Sequence, residues 1–337
     1  MASGRYLLAS LAIGTAAWPA FAEAPGVVAS IKPIHSLVAG VMEGVGEPTL
    51  LIEGAGSPHT YSLRPSEARA IADADVVFWV GEGLETFLAG PLATLAPDSR
   101  LVALGAAPGV MLLPTRSGGM WDEHDHDEHG GEEADHDQHD AHHEDHAAEA
   151  GHGEAEHDDG RGASDMHVWL DPQNAEAMVD TIAATLAKTD PDNADSYERN
   201  AARLREDLDR LYRRVAETLA PVVDRPFVVF HDGYQYLERR YGLNAIGSIS
   251  VGPDRRPGAR RLGEIRAMLE ETDAACVFAE PQFEPALVET VIEGTSARAG
   301  VLDPLGAELD EGPDQYFRLL DALAGSLVRC LGVAKSG

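Results

Sequence analysis

Short apolar strands alternate with helices along both halves of this chain, and this alternation restricts the fold more than any other feature. Residues 76–80 and 276–279 are apolar without a break, as in strands that are buried on both faces. Helical segments separate such strands, which predicts mostly parallel sheets covered by helices. We therefore expect an α/β fold with two lobes, each a mostly parallel β-sheet flanked by helices.

One long amphipathic helix is predicted between the two halves, at residues 191–219. Its apolar side chains recur at spacings of three and four residues and share one face: Leu204, Leu208, Leu211, Val215 and Leu219. Such a helix is about 40 Å long and would join the lobes as a linker. The predicted divisions are a signal peptide at 1–22, an N-terminal lobe at 23–189, the linker helix at 190–220 and a C-terminal lobe at 221–337.

The signal peptide is predicted from the first 22 residues. Arg5 supplies positive charge, residues 7–17 form a short apolar run, and Ala20-Phe21-Ala22 is a cleavage site of the Ala-x-Ala type. A buried N-terminal helix is the alternative, but it fits the abrupt polar start at Glu23 less well. No later segment has the ~20 apolar residues of a membrane helix, so we expect an exported protein of the bacterial periplasm.

An insertion rich in His, Asp and Glu interrupts the N-terminal lobe at about 117–164, and we call the part between Trp121 and Gly160 the tract. It holds ten of the fourteen histidines, seventeen acidic residues and no Lys or Arg. Imidazoles beside carboxylates bind divalent metals, above all zinc, and a segment so poor in apolar residues is predicted to be disordered. The candidate accessory zinc ligands are His124, His126, His129, His136, His139, His142, His143, His146, His152 and His157. The alternative is a solvated acidic linker.

The formal net charge of −31 also limits the partners of the chain. Nucleic-acid binding requires basic surfaces, so we expect no nucleic-acid partner. The only cysteines are Cys276 and Cys330, and export favours a disulfide between them. Two thiolate metal ligands are the alternative, against which stand their wide separation and the absence of a CxxC motif.

Four further residues stand after predicted strands or before a helix, where α/β folds place their sites. His59, His167, His231 and Asp303 are these residues, and two come from each lobe. Three imidazoles with a carboxylate or water form a tetrahedral zinc set, so we expect a metal site in the cleft between the lobes. Glu280 also follows a strand and is expected to line the cleft or support a ligand.

Five stretches of the sequence resemble the metal-binding motifs of ABC-importer solute-binding proteins of the zinc-binding, ZnuA type: residues 57–66, 166–172, 229–234, 276–283 and 302–306. The resemblance implies two α/β lobes, a rigid linking helix and one Zn²⁺ in the cleft, bound by His59, His167 and His231. It also implies the pairing of the cysteines. Related manganese-binding members have what looks like a Glu at the third position, so His231 favours zinc.

The chain departs from this pattern at Pro58, where some zinc-binding members have a Glu that can approach the metal. The fourth ligand is therefore open between Asp303 and water. The resemblance implies a cognate ABC permease of the inner membrane as partner, and we expect a monomer with a periplasmic zinc chaperone as a second candidate partner.

Three other functions are weighed against zinc transport. A manganese or iron carrier has the same architecture. A zinc hydrolase has an open zinc position, but only Glu280 is placed as a general base and no HExxH motif is present. A zinc buffer or adhesin would use the tract as its functional part. We expect a binding protein rather than an enzyme.

Overall fold

The computed structural model describes residues 24–116, 119–121, 164–250, 257–283 and 286–332. The predicted signal peptide and the ten histidines of the tract lie outside these residues. The strands are β1 (Val27–Ala29), β2 (Thr49–Leu50), β3 (Val76–Trp79), β4 (Arg100–Ala103), β5 (Leu113–Pro114), β6 (Ser164–Asp165), β7 (Pro226–His231), β8 (Asn244–Ser250), β9 (Cys276–Ala279) and β10 (Arg298–Val301). The α-helices are α1 (Lys32–Val41), α2 (Pro65–Ala72), α3 (Thr86–Leu95), α4 (Pro172–Thr189), α5 (Ala194–Leu219), α6 (Gln235–Tyr241), α7 (Ala259–Thr272), α8 (Ala286–Ile292) and α9 (Gln315–Leu331).

Two four-stranded parallel sheets confirm the predicted fold class. The first has the strand order β2-β1-β3-β4, and the second has the order β10-β9-β7-β8. Both central strands of each sheet are almost entirely buried. Because all strands of a sheet run in the same direction, their carboxyl ends meet at one edge, where the loops that carry polar side chains also meet.

Two small features were not predicted from the sequence. Strand β8 lies at the edge of the second sheet, and its residues 244–250 contain Gly247 and two serines among few apolar residues. Strands β5 and β6 form a two-stranded antiparallel pair just before and after the tract. Both depend on pairing with a partner strand rather than on a strong local pattern, because strand propensity is decided largely by context.

The long helix α5 has 26 residues, which corresponds to about 39 Å. The five apolar residues that define its predicted face are all buried, and α5 packs against α1, α4 and α9. Asn200 reinforces this packing because its side-chain amide donates to the backbone oxygens of Val41 and Glu43, at 2.9 and 2.8 Å. The helix is therefore built into the core of the molecule over much of its length.

A single large hydrophobic core runs through both halves of the chain. It joins side chains of the first sheet to those of α4, α5 and α9, and a smaller core packs α7 and α8 on the second sheet. The predicted disulfide between Cys276 and Cys330 is confirmed and connects β9 to α9. Within the described residues, no helix is both long and apolar enough to span a bilayer.

Candidate metal centre

Three imidazole rings from distant parts of the chain converge on one point. The Nε2 atom of His167 lies 3.3 Å from Nε2 of His59 and 3.1 Å from Nε2 of His231. Two nitrogens bound to one tetrahedral zinc at about 2.0–2.1 Å lie about 3.3 Å apart, so these separations fit a shared metal. Among the described residues this is the one group of three or more metal-ligating side chains close enough to hold an ion.

Each histidine is delivered by a different local structure. His59 lies in the loop between β2 and α2, His167 follows β6, and His231 is the last residue of β7. His167 directly precedes a buried turn, residues Val168–Leu170, whose Trp169 indole donates to the Pro304 backbone oxygen at 2.8 Å. The three ligands therefore come together only when both sheets and the segment after the tract are in place.

Carboxylates orient two of the three rings. The Nδ1–H of His167 donates to Asp165 Oδ1 at 2.8 Å, and the Nδ1–H of His231 donates to Glu280 Oε1 at 2.7 Å. Donation from Nδ1 leaves the lone pair on Nε2, which is the atom that faces the other rings. A carboxylate that accepts from a ligand imidazole also makes that ligand more basic, as is common in zinc sites.

Burial and neighbouring charges shift the pKa values of groups in the site. Burial, followed by the neighbouring imidazoles of His167 and His231, lowers the pKa of His59 to about 2, so this ring is neutral at ordinary pH. Burial alone would lower the pKa of His231, but the carboxylates around it, first Glu280 and then Asp232 and Asp165, together raise it. Burial opposes ionisation of Asp165, yet its contacts with His167, together with the charge of Arg116, lower the pKa of this carboxyl group. Negative charge thus lies behind two of the three rings.

Within the described part of the chain, two cavities adjoin the three histidines. One has a volume of about 150 Å³ and is also lined by Arg116, Trp121 and Ser164. The other is only about 10 Å³, close to the space that one water molecule occupies, and is lined by Pro58 and Phe283 among others. The Phe283 ring stacks on Phe230 at 4.5 Å, which makes this wall apolar.

The structure does not bring Asp303 to the three histidines. Its Oδ1 accepts from Gln282 Nε2 at 3.0 Å and from the backbone amides of Leu305 and Gly306, and its Oδ2 accepts from the amide of Ala307. The carboxylate thus organises the loop that follows β10. Pro58 lines the small cavity with a side chain that has no ligand atom, so the arrangement favours water over Asp303 as a fourth ligand.

Asp165 and Arg116 belong to the surroundings of the site and were not assigned a role from the sequence. Asp165 stands two residues before His167, and this Asp-x-His spacing was the signal that could have identified it. Arg116 lines the larger cavity and directly precedes the predicted insertion. The remaining described histidine, His35, donates from Nε2 to the Pro48 backbone oxygen, which fits a structural role.

Comparisons with known proteins place this geometry in context. The profile of the family described as "Zinc-uptake complex component A periplasmic" (ZnuA) matches residues 27–330. The chain is 53% identical over 309 residues to the high-affinity zinc uptake system protein ZnuA of Brucella abortus (strain 2308), covering 92% of each chain. It is 39% identical to the ZnuA protein of Paracoccus denitrificans (strain Pd 1222), covering 97% of this chain and 98% of that one. A solved structure titled "Crystal structure of ZnuA" superposes with a TM-score of 0.71 at 24% identity, over 91% of this chain and 99% of that one.

Proposed function

This chain belongs to the ZnuA family and is a periplasmic zinc-binding component of a zinc uptake system, and we propose that His59, His167 and His231 hold its zinc ion. The observation that carries the proposal is the convergence of three Nε2 atoms, two of them 3.1 and 3.3 Å from the third. The carboxylates of Asp165 and Glu280 support it, because each accepts a hydrogen bond from the opposite nitrogen of a ligand ring.

A water molecule completes the proposed coordination. Asp303 is engaged by an amide side chain and three backbone N–H groups, and the Pro58 side chain has no atom that could bind a metal. Three protein ligands and an exchangeable fourth position suit a carrier that must release its metal. The role of the site is binding and delivery rather than catalysis.

The tract acts as an accessory zinc collector in this proposal. Its ten histidines lie outside the described residues, but Trp121 and Ser164, which border the undescribed segment, line the same cavity as the three ligand imidazoles. The segment that contains the tract therefore starts and ends at residues next to the site, so metal bound by the tract is held on a tether attached there. Because the imidazoles titrate near ~6.5, we expect the tract to bind several zinc ions weakly and to lose them as pH falls.

The proposal extends to processing and partners. A signal peptide cleaved after about Ala22 directs export, and a cognate ABC permease in the inner membrane receives the zinc. Membership in a periplasmic uptake family supports both steps. A monomer presents one docking face to the permease, and a periplasmic zinc chaperone is a second proposed partner. The proposed divisions are 23–189 and 221–337 for the lobes and 190–220 for the linker helix.

The central test combines ligand replacement with removal of the tract. In a chain that lacks residues 122–163, we expect one tight zinc site, measured by competition with a chelator, and its loss when His59, His167 and His231 are all changed to Ala. Tight one-to-one binding by the triple variant would refute the ligand set. Competition between zinc and manganese in the same chain tests the metal, and a preference for manganese would refute a zinc carrier.

A second variant isolates the tract. Replacing its ten histidines with Asn keeps its length and acidity, so any change reports the imidazoles themselves. We expect the additional weak zinc sites to disappear and the tight site to remain, with zinc-limited growth largely maintained. Loss of growth equal to that of the triple ligand variant would favour a zinc buffer in which the tract is the functional part.

A further inference from the structure

Arg116 makes the densest set of ionic contacts near the three histidines. Its Nε donates to both carboxylate oxygens of Asp232 at 3.0 and 2.9 Å, and its Nη2 also contacts Asp232. Its Nη1 and Nη2 donate to the two carboxylate oxygens of Glu238 at 2.7 and 2.9 Å. All three side chains are at most 20% exposed, so these contacts are little screened by solvent.

These contacts connect the two halves of the chain next to a zinc ligand. Arg116 follows β5 in the first half, whereas Asp232 directly follows His231 and Glu238 lies on α6. The larger cavity beside the three imidazoles is lined by both Arg116 and Asp232. A movement of Arg116 away from these carboxylates would therefore act on the strand end that carries His231.

Arg116 is itself held in place. The Trp121 ring covers its guanidinium with a centroid 3.5 Å from Cζ, a cation–π contact. The neighbouring Met120 packs on the second sheet, and its backbone oxygen accepts from Arg261 at 2.6 Å. Arg116 and Met120 are thus both attached to the second half of the chain, and the guanidinium contacts the Trp121 ring as well as its two carboxylate partners.

We propose that Arg116 is a positioning residue for the zinc site: by binding Asp232 and Glu238 together, it fixes the end of β7 so that His231 stays in register with His59 and His167. The proposal rests on the zinc site proposed above. Without the guanidinium, two nearly buried carboxylates would face each other, and their repulsion or rehydration would displace the segment after His231. A lysine would not replace it fully, because an ammonium group lacks the planar fork that bridges two carboxylates.

The test uses the full chain with one equivalent of metal, so that the tight site fills first. Zinc dissociation into excess chelator and the visible spectrum of bound Co²⁺ are measured for wild type, R116Q, R116Q/E238Q and R240Q. We expect R116Q to release zinc about tenfold faster and to weaken the tetrahedral Co²⁺ bands, as for other groups that support ligands. R116Q/E238Q should recover much of the wild-type behaviour, because one of the two unpaired carboxylates is gone.

R240Q is the matched control. Arg240 also forms a two-contact ion pair across the two halves, with Asp171 at 2.6 and 2.5 Å, but Asp171 caps α4 and lies outside the cavities that adjoin the histidines. The R240Q variant should have a lower melting temperature, with zinc release and the Co²⁺ spectrum unchanged. Equal effects of R116Q and R240Q would overturn the positioning role, because both would then reflect general loosening.

A further variant covers the case in which R116Q does not fold. R116K keeps the charge but loses the fork, and zinc release between the wild-type and tenfold-faster rates is expected; a wild-type rate and spectrum for R116K would overturn the proposal. An H231A chain separates the two levels. If H231A keeps the tight Co²⁺ site, the ligand set itself is wrong. If H231A loses that site but R116Q releases zinc at the wild-type rate, only the positioning role is refuted.

Discussion

His231 Nδ1 lies 2.7 Å from Glu280 Oε1, and this contact joins the ends of two neighbouring parallel strands. β7 pairs with β9 in parallel, so the last residue of β7 and the first residue after β9 emerge at the same edge of the sheet. Glu280 is only 2% exposed, and its Oε2 is buried without a hydrogen-bond partner in the described part of the protein. A buried negative charge next to a ligand ring favours a cation in the site.

Replacing Glu280 with Gln should weaken zinc binding by about 10- to 100-fold, because the neutral amide still accepts from His231 Nδ1 but no longer supplies the negative charge that increases the basicity of the ring. The measurement is chelator competition at one equivalent of zinc. Glu270, an exposed residue of α7, provides the matched control, and its change to Gln should leave affinity unaltered. Wild-type affinity in E280Q would mean that this carboxylate does not support the ligand.

Zinc affinity should fall as the pH is lowered through the raised pKa of His231. Burial lowers the pKa of this ring, but Glu280, with smaller contributions from Asp232 and Asp165, raises it overall, so in the metal-free site His231 binds a proton more readily than a free imidazole does. Zinc must displace that proton, which costs about tenfold in affinity per pH unit below the pKa. His59, with a pKa of about 2, should not contribute to this dependence.

Chelator competition between about pH 5 and 8, the range in which imidazoles titrate, measures this effect. E280Q removes the group that raises the pKa of His231, so the fall in its affinity should begin at a lower pH than in wild type. A pH-independent affinity in wild type, or an identical onset in both proteins, would contradict the assignment of the proton to His231.

Removing the disulfide should destabilise the protein without removing its zinc site. The Cys276–Cys330 bond spans 54 residues, and its loss is expected to cost about 4 kcal/mol on the chain-entropy model. Urea unfolding of the variant with both cysteines changed to Ser measures this loss. Zinc stoichiometry should stay at the wild-type value, because the bond joins β9 to α9 and neither cysteine is a ligand; loss of one zinc per chain would indicate thiolate coordination.

Truncation of Leu208 to Ala should lower the free energy of unfolding by about 2–5 kcal/mol, because the side chain is fully buried where α5 meets the main core. Arg213 on the same helix is 62% exposed, and its change to Ala should alter stability by less than about 0.5 kcal/mol. Equal effects of the two changes in urea unfolding would show that the apolar face of α5 does not carry the packing.

Local patterns were sufficient for the fold class and for selecting the candidate ligands. Runs such as 76–80 and 276–279 report burial on both faces at each position, and the 3.6-residue repeat from Leu204 to Leu219 reports one buried helical face. Residues that follow strands are candidate ligands because binding sites of parallel sheets lie at the carboxyl ends of the strands, and these ends can be recognised from the local sequence. His59, His167 and His231 could therefore be selected one by one.

These local patterns do not predict contacts between distant segments. The carboxylate of Asp303 could equally have turned to the metal or to its own loop, and only the folded loop shows that it accepts from Leu305, Gly306 and Ala307. The pairing of Arg116 with Asp232, 116 residues away, has no sequence signature either. Strand, helix and metal-ligand preferences are encoded residue by residue, whereas the partner of each polar side chain depends on which segments the packed core brings within 3 Å.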